Sequence, residues 1–463
     1  MAFLKRSRLV RRLELRTNPR VRLHSNVLET ISTYRPEITL FPALRVIEWC
    51  ILDGKGAQLP LLLSLVGNQL TGISITVLDQ REVAEKILQG MTAILSSRTR
   101  HCRALQLRFS NMSNSHPALP STISALSSLV SPMFSLTTIS CKNVALNPNA
   151  IASLARLELR HVSLRLPDNA TWPHISDIVP FSALTYISFH ATIEAYVAFS
   201  KAMVLPTIRK LDLSIVGEPT SHLIPELFRS IRRQFSPNVF DDLSIRPADP
   251  PQREAAERSA AVIRPDDLRP LLELAVVSRL NLNLECHYAM DDAFIYDMAK
   301  AWPKLYEVYL AQEKHCVHDS LPSLTALAHL AAYSEDLDNF GLCVDASGWS
   351  GNIETEEGER VDGAGPEIHY YGDLHPIKRP STSNVVVWNV GSSSPIRDPE
   401  HVAFFLATIF PDLDEVSAGT YAGGDGDLTE GWKEVDRYLP MFIRLRRDWS
   451  DARAYQAMPE EYD

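Results

Sequence analysis

The amino-acid sequence predicts an α/β fold built from repeated strand-and-helix units. Short Leu-rich runs with the two-residue period of a strand recur along the chain, and the stretches between them have the period of a helix. Length is the third observation, because 463 residues exceed the roughly 250–300 at which a single compact core stops growing. A stacked array of repeats accounts for all three.

The strand-like runs define the repeat. Each is about six residues long, is rich in Leu and alternates apolar with polar positions. Successive runs begin on average about 31 residues apart, just above the roughly 20–29 residues of regular leucine-rich repeats. We therefore predict an irregular leucine-rich-repeat solenoid, a horseshoe with a curved parallel sheet and with helices on its convex face. The fourteen predicted strands span residues 10–15, 43–49, 72–78, 103–109, 136–141, 154–159, 184–189, 208–213, 242–245, 277–284, 305–310, 337–344, 385–390 and 413–417.

Between these runs the apolar period lengthens to that of a helix. Residues 81–96 place Ile87, Leu88, Met91 and Leu95 on one helical stripe. Such a unit cannot bury its apolar surface alone, so neighbouring units must stack. A compact α/β enzyme alternates the same elements, but its strands would be longer and apolar on both faces. Further helices are predicted over residues 121–130, 223–235, 291–302, 324–332 and 400–410, the last with Asp398 as its N-cap and Pro399 at its first position.

We expect residues 1–463 to form a single solenoid with two interruptions. Residues 247–267 are rich in Pro and charge, which is typical of a loop with a short exposed helix. Residues 347–383 carry a cluster of acidic residues and several glycines and lack large apolar side chains. We predict that they form an acidic mobile loop inserted between repeats, after which the strand at 385–390 continues the sheet.

Charge and cysteine usage limit the partners and the compartment. The net charge of −10 removes the general attraction to nucleic acid, and no apolar run approaches the roughly 20 residues that cross a bilayer. We therefore expect neither nucleic-acid nor membrane binding. The six cysteines form no CxxC pair and no secretory signal is recognised, so we predict reduced thiols in a cytoplasmic and/or nuclear protein. Residues 1–110 carry 17 Lys and Arg against 8 Asp and Glu, whereas residues 341–463 carry 10 against 23.

No residue pattern supports catalysis. Lys55 lacks the glycine that would open a phosphate-binding loop. Gly348, Ser350 and Gly351 miss the spacing of a hydrolase nucleophile elbow by one residue. We predict that the chain is not an enzyme and that it has no catalytic and no cofactor-binding residue.

One alternative concerns a metal. Cys286 and His287, with His315, Cys316 and His318, are of the types that bind zinc and lie on consecutive repeats. Their spacing matches no zinc pattern, because adjacent residues of a strand point to opposite faces. We therefore predict no metal site, and interpret these residues as core cysteines and surface histidines.

The outward positions of the predicted strands are the candidates for binding a partner. A repeat sheet offers a long surface on which polar side chains alternate with core Leu. An outward strand face must be polar whatever it binds, so solvation alone is the competing explanation. The candidate partner-binding face comprises Arg12, Glu14, Arg45, Glu48, Gln106, Arg108, Lys210, Asp212, Asn281 and Asn283.

Five stretches carry a family resemblance in the expected order. They are 10–15 (VRRLEL), 40–50 (LFPALRVIEWC), 298–310 (MAKAWPKLYEVYL), 324–346 (LTALAHLAAYSEDLDNFGLCVDA) and 390–416 (VGSSSPIRDPEHVAFFLATIFPDLDEV). Together they extend over nearly the whole chain, and the Ser-Pro-Ile-Arg-Asp-Pro stretch is the most specific. The chain resembles the leucine-rich-repeat-like region of F-box proteins of mushroom-forming fungi.

The resemblance implies a protein-interaction module, the substrate-recognition region of an F-box-type ubiquitin ligase receptor. Such proteins begin with an F-box, and none is recognised before the strand at residue 10. A cullin-type ubiquitin ligase is therefore a partner only if an F-box is encoded upstream; otherwise the chain is a paralogue that has lost it. A free-standing leucine-rich-repeat scaffold with no ubiquitin role is the alternative, and an enzyme on a repeat-like fold is a third.

Overall fold

The computed structural model divides the chain into two compact units. The first unit comprises residues 1–240 and 245–257, and the second comprises residues 241–244 and 258–463. Each unit buries its own set of apolar side chains. The residues that the structure describes are 9–15, 41–51, 67–77, 86, 88–92, 95, 99–109, 120–173, 179–248, 261–284, 286–310, 321–347, 383–391, 396, 398–417 and 426–456.

Fourteen strands of the described residues form one sheet in which strand order follows chain order. Every strand pair whose register is described is parallel. The α/β repeat architecture predicted from the sequence is confirmed. The fourteen strands are β1 (Arg12–Leu15), β2 (Val46–Ile51), β3 (Gly72–Val77), β4 (Ala104–Phe109), β5 (Thr138–Ala145), β6 (His161–Arg165), β7 (Tyr186–Ala191), β8 (Lys210–Ile215), β9 (Asp242–Pro247), β11 (Arg279–Leu282), β13 (Glu307–Leu310), β14 (Asn339–Leu342), β15 (Val387–Asn389) and β16 (Glu415–Ser417). A separate parallel pair consists of β10 (Val262–Ile263) and β12 (His287–Tyr288).

Helices connect the strands, as parallel pairing requires. Four of the α-helices with described bounds lie in the first unit and five in the second. They are α1 (Pro120–Val130), α2 (Pro148–Leu154), α3 (Ile193–Ala202), α4 (Ile224–Gln234), α5 (Pro265–Leu268), α6 (Asp292–Ala301), α7 (Leu324–Tyr333), α8 (Pro399–Ile409) and α9 (Gly426–Gln456). In addition, residues 88–92 are helical and Leu88, Met91 and Leu95 are buried, in agreement with the predicted stripe.

Rows of apolar side chains form the core of the first unit. Neighbouring strands place their apolar residues opposite one another, so that Ile73 of β3 faces Leu105 of β4, and both are buried. Burying a side chain of this size contributes about 1.5–3 kcal/mol relative to leaving it exposed. One such row consists of Leu13, Ile47, Ile73, Leu105, Ile139, Val162, Ile187 and Leu211.

The long helix α9 covers the last strand of the second unit. Trp432 packs edge-on against Trp388 of β15, with ring centroids 5.1 Å apart. The backbone N–H of Val416 in β16 donates to Asp436 Oδ1 at 3.0 Å. Arg446 Nη1 donates to the carbonyls of Ala407 and Thr408 at the end of α8. This helix therefore satisfies backbone groups at a sheet edge, where an unpaired strand would invite another chain.

Thirteen of the fourteen predicted strands overlap an observed strand, and the prediction for residues 154–159 is wrong. Leu154 ends α2, and the residues after it turn. The Leu157 amide donates to the Leu154 carbonyl at 3.0 Å, and the Leu159 amide donates to the Leu157 carbonyl at 2.9 Å. The strand of this repeat is β6, which begins two residues after the buried Leu159.

The predicted helices at 121–130, 223–235, 291–302, 324–332 and 400–410 are confirmed as α1, α4, α6, α7 and α8. Asp398 is the N-cap of α8, since its Oδ1 accepts the His401 amide at 3.2 Å, and Pro399 follows it. Helices α2, α3 and α9 were not predicted.

The predicted acidic loop lies outside the described residues, except for its two ends, Ser347 and Ser383. The strands on either side of it pair in parallel, with Phe340 of β14 opposite Trp388 of β15. The expectation that the strand at 385–390 continues the sheet is therefore confirmed. The chain as a single solenoid stays a prediction.

The thiols agree with the sequence prediction in part. Cys50, Cys102, Cys141 and Cys286 are free, and the last three are buried. Burial raises the pKa of Cys102 to about 11 and that of Cys141 to about 12, because the thiolate is poorly solvated there. Cys343 is disulfide-bonded. The expectation of reduced thiols is thus wrong for Cys343.

Truncating a side chain of the apolar row should destabilise the fold. Leu211 in β8 is fully buried, so we expect Leu211→Ala to lower the free energy of unfolding by about 2–5 kcal/mol. The control is Leu9→Ala, because Leu9 is 77% exposed and the same deletion there should cost less than about 0.5 kcal/mol. Urea denaturation measures both, and equal midpoints for the two variants would contradict the assigned core.

Candidate functional site

The side of the sheet opposite the apolar rows carries polar side chains, and we call it the polar face. In the first unit its members fall into rows, because the strands pair in a regular register. Glu14 of β1 lies opposite Glu48 of β2, and Ser188 of β7 lies opposite Asp212 of β8. The central row consists of Glu14, Glu48, Ser74, Gln106, Ser140, Ser163, Ser188 and Asp212.

Four of the predicted residues lie in the central row, namely Glu14, Glu48, Gln106 and Asp212. Arg12, Arg108 and Lys210 lie two residues from them on the same strands, and so on the same face. In the second unit, Asn281 is on the corresponding face of β11, and Asn283 follows that strand. Arg45 precedes β2 and does not belong to a row.

Ion pairs join several of these residues across strands. Arg12 lies between two carboxylates, with Nη2 2.5 Å from Glu48 Oε1 and Nε 2.9 Å from Glu14 Oε1. Asp212 Oδ2 accepts from Arg246 Nη2 at 3.0 Å. The two pairs of Arg12 are exposed and contribute little to stability, so they define a charge pattern rather than a core.

The central row is deepest at β6 to β8. Ser163 and Ser188 are each 1% exposed although they belong to the polar face. A serine side chain is shorter than those two residues away on either side, so these hydroxyls lie below their neighbours. The floor of this serine slot is Ser163, Ser188 and Asp212, and its sides are His161 and Tyr186 on one flank and Arg165 and His190 on the other.

Polar atoms in the serine slot lack hydrogen-bond partners among the described residues. They are Ser163 Oγ, Ser188 Oγ, both ring nitrogens of His190 and Asp212 Oδ1. Buried polar groups are usually paired, and leaving one unpaired costs about 1–3 kcal/mol. Five such atoms lie on three neighbouring strands, beneath the longer side chains on either side of them.

Positive charge surrounds His190. Burial chiefly, and then the charges of Lys142, Arg165 and Arg246, lower the pKa of His190 to about 4. The imidazole is thus neutral at neutral pH, with one nitrogen that donates and one that accepts. Arg165 is 5% exposed, so its charge acts in a partly desolvated environment.

The opposite flank is aromatic. The rings of His161 and Tyr186 are 5.4 Å apart. Burial and then the charge of Lys142 lower the pKa of His161, whereas burial and then the charge of Asp212 raise the pKa of Tyr186. Both rings are therefore neutral at neutral pH.

The serine slot does not contain the geometry of a hydrolase. Ser188, His190 and Asp212 are the residue types of a catalytic triad, which requires a hydrogen bond from nucleophile to base and from base to acid. Neither ring nitrogen of His190 has a hydrogen-bond partner, so this relay is not formed.

Sequence reasoning missed His161, Ser163 and Arg165 because their strand was assigned to residues 154–159. It also missed Ser188 and His190, although the alternation in residues 184–189 places Ser188 on the outward face. No sequence pattern distinguishes Ser163 and Ser188 from other serines in strands. Their significance depends on which strands are neighbours and in what register.

The described residues contain no group of three or more His, Cys, Asp or Glu that could hold a metal ion. Of the alternative zinc set, Cys286 is buried and His287 lies in β12, whereas His315, Cys316 and His318 lie outside the described residues. Within the described part of the chain, no helix is long and apolar enough to cross a membrane.

Comparison with known proteins gives similarity to solved structures only. No protein-family model and no curated protein matches the chain. A structure of the Rad7 and Elc1 complex in yeast has a TM-score of 0.33 and 12% identity, covering 73% of this chain and 85% of that one. The leucine-rich repeat-containing protein LegL7 from Legionella pneumophila has a TM-score of 0.25 and 10% identity, covering 92% and 97%. With TM-scores this low, the fold assignment depends on the strand order of this chain itself.

Replacing His190 should make the fold less sensitive to acid. Its pKa of about 4 lies below the 6.5 of an ordinary histidine, so the unfolded chain binds the proton more tightly. The stabilisation is fully present above pH 6.5 and is lost as pH falls toward 4, by roughly 3 kcal/mol in total. We expect His190→Asn to lose less stability than the wild type between pH 7.5 and pH 4, measured by urea denaturation.

The control is His222→Asn, because His222 is exposed. This variant should follow the wild-type dependence on pH. Equal acid sensitivity of the His190→Asn variant and the wild type would show that His190 is not held neutral by its surroundings.

Proposed function

We propose that the chain is a protein-recognition module that binds a partner protein through the polar face of its sheet. The supporting observation is the central row, in which eight strands of the first unit present one side chain each in a continuous register. Seven steps of about 4.8 Å give this row a length of roughly 34 Å. That is enough for an extended segment of about ten residues at 3.3 Å per residue.

The chemistry of the row suits recognition. Its side chains are carboxylates at β1 and β2, amide and hydroxyls from β3 to β7, and a carboxylate at β8. Backbone hydrogen bonds between the strands do not depend on these side chains, so they can vary without loss of the fold. Side chains of the polar face can therefore differ between related chains while the backbone of the sheet stays the same, as a binding module requires.

We further propose that the module is the substrate-recognition region of an F-box-type ubiquitin ligase receptor in the cytoplasm and/or nucleus. This proposal is supported by the sequence resemblance and by the ten candidate residues, eight of which lie on the polar face of a strand. A cullin-type ligase joins the complex only through an F-box encoded upstream. The proposal includes no catalytic step on this chain.

Reversing two charges on the polar face should weaken partner binding. Arg108 and Lys210 lie in rows next to the central row, on β4 and β8. For a partner identified by affinity purification and then purified, we expect Arg108→Glu with Lys210→Glu to reduce affinity at least about ten-fold, because like charges repel across an interface. Titration calorimetry measures the affinity.

The matched control is Arg156→Glu with Lys201→Glu. Both side chains are exposed, Arg156 in the turn after α2 and Lys201 at the end of α3, and the net charge change is identical. Equal loss of affinity in the two double variants would place the interface elsewhere.

A receptor and a free-standing scaffold differ in what happens to the partner. If the module recognises substrates for ubiquitination, deleting its gene should lengthen the half-life of the partner several-fold, and the Arg108→Glu with Lys210→Glu variant should fail to restore it. A scaffold leaves the half-life unchanged while binding persists. Cycloheximide-chase immunoblots distinguish the two.

A further inference from the structure

We propose that the chain binds a second copy of itself through the edge of the sheet at which the strands begin. We call this edge the entry edge, and it comprises the described residues among the five before each strand of the fourteen-stranded sheet. The entry edge of the first unit would contact that of the second unit in the other copy. The polar face is a different surface of the sheet, so self-association leaves it free for the partner protein of the proposed function.

The entry edges of the two units carry opposite charge. In the first unit the entry edge contains seven arginines and one acidic residue, Glu158. In the second unit it contains six acidic residues and one cation, Lys304. Each edge therefore attracts the other, and repels its own kind, when two copies meet. The arginines are Arg11, Arg45, Arg100, Arg103, Arg156, Arg160 and Arg209, and the acidic residues are Asp241, Glu335, Asp336, Asp338, Asp412 and Asp414.

The fold does not require this difference in charge. The residue immediately before a strand contributes its backbone carbonyl to the contact between repeats, and Ser278 and Tyr306 serve as well as any arginine. In the first unit this position is nevertheless Arg or Thr before every strand, and the two types alternate from Arg45 before β2 to Arg209 before β8. The alternation is thus a property of the surface and not of the backbone.

The alternation spaces the arginines two strands apart, which is about 9.6 Å. The threonine between two arginines can turn back onto the backbone, since Thr137 Oγ1 donates to the Arg103 carbonyl at 3.1 Å. The arginine side chains are exposed instead. Among the described residues, no ion pair or side-chain hydrogen bond holds Arg45, Arg103 or Arg160. These guanidinium groups are therefore available to a carboxylate.

The second unit presents carboxylates at the same spacing. Asp338 precedes β14 and Asp414 precedes β16, and the first residues of β14, β15 and β16 lie opposite one another. The two aspartates are thus also two strands, or about 9.6 Å, apart. Tyr306 and Asn339 both donate to Asp338 Oδ2, which orients this carboxylate and leaves its other oxygen for a new donor. Arg103 and Arg160 can consequently pair with Asp338 and Asp414 at the same time.

An exposed apolar side chain lies between the charges on each edge. Phe134, in the turn before β5, is 64% exposed between the strands that follow the two arginines. Val386, immediately before β15, is 38% exposed between the strands that follow the two aspartates. Contact between these side chains removes apolar surface from water, whereas exposed ion pairs alone contribute little. The order Arg, apolar, Arg on one edge thus matches Asp, apolar, Asp on the other.

The occupant that this pattern favours is a second copy and not a nucleic acid. The chain carries a net charge of −10, which opposes the approach of a polyanion. Its own second unit, in contrast, supplies two carboxylates at the spacing of the arginines, with an apolar side chain between them. Two copies can therefore satisfy each other without a further partner.

The test is sedimentation equilibrium of the full chain. At a salt concentration of about 50 mM we expect the average mass to rise from that of a monomer toward that of a dimer as the protein is concentrated to about 100 μM. At about 0.5 M salt the average mass should return to that of the monomer, because salt screens interactions between exposed charges.

Two charge-reversal variants identify the surfaces that meet. Arg103→Glu with Arg160→Glu places acidic residues on both edges, and Asp338→Arg with Asp414→Arg places basic residues on both. Each variant alone should associate at least about ten-fold more weakly than the wild type, because like charges repel across an interface. An equal mixture of the two should associate again, since every edge then meets one of opposite charge. Recovery in the mixture also shows that both variants are folded.

The matched control is Lys86→Glu with Lys201→Glu. Both lysines are exposed on helical residues of the first unit, and the net charge changes by the same amount as in the arginine variant. This control should associate as the wild type does. The difference between the two double variants therefore measures the position of the charges and not their number.

Three results would overturn the inference. They are a wild type that stays monomeric at about 100 μM and low salt, charge-reversal variants that associate as strongly as the control, and no recovery in a mixture of variants whose circular dichroism is that of the wild type. A monomeric wild type that binds an oligoglutamate peptide through Arg103 and Arg160 would assign the arginines to a different, acidic protein. The polar face is unchanged in all these variants, so none of these results affects the proposed function.

Discussion

At eleven of the thirteen junctions between neighbouring strands of the described sheet, one backbone carbonyl holds the next repeat in place. It belongs to the residue just before the strand, and it accepts the N–H groups of two consecutive residues in the following repeat. The Arg45 carbonyl accepts from Thr71 at 2.7 Å and from Gly72 at 2.9 Å, and the Thr71 carbonyl accepts in turn from Arg103 and Ala104. In the second unit the Ser278, Tyr306, Asp338 and Val386 carbonyls do the same. At these junctions the register is thus set before the strand begins.

The side chain of the accepting residue takes no part in this contact, so its type can vary. The accepting residues include Arg, Thr, Ser, Tyr, Asp and Val, because only their backbone takes part. The residue two positions before the strand, in contrast, must be apolar, because its side chain is buried. Examples are Leu44, Leu184 and Leu337. Its amide donates to the carbonyl three residues earlier and closes the turn, as Leu184 does to Phe181 at 2.9 Å.

This apolar residue explains both the success and the errors of sequence reasoning. The two-residue period of the Leu-rich runs located almost every strand, but most predicted strands began at the apolar residue two positions before the observed strand. Between 154 and 159 the alternation continued through a helix end and a turn, so the period alone could not separate Leu159 from a strand residue. The helix α9 was missed because it buries only one side, against a sheet edge. Its sequence is therefore mostly polar, and it contains Gly431 and Pro440.

The candidate site was predictable in its location and not in its chemistry. Alternation along a strand shows which residues face outward, and Gln106 and Asp212 were found in this way. Which outward residues are neighbours depends on the register between strands that lie about 25 residues apart in the chain, as Ser163 and Ser188 do. A serine in a strand gives no indication of whether its hydroxyl is hydrated or lies unpartnered between a histidine and an arginine, as that of Ser163 does.

The polar face consists of side chains, whereas the carbonyls that join the repeats belong to the backbone. This difference has a consequence for the serine slot. Because the ladder fixes the backbone without help from Ser163, Ser188 or His190, these residues can keep polar atoms without partners and the fold remains intact. An unpaired buried hydroxyl costs free energy, and the fold bears this cost because its backbone hydrogen bonds do not depend on the hydroxyl. In a compact domain the same groups would have to be satisfied by the core around them. A repeat array can instead hold them on a face that its backbone does not need, which makes that face the natural place for specificity.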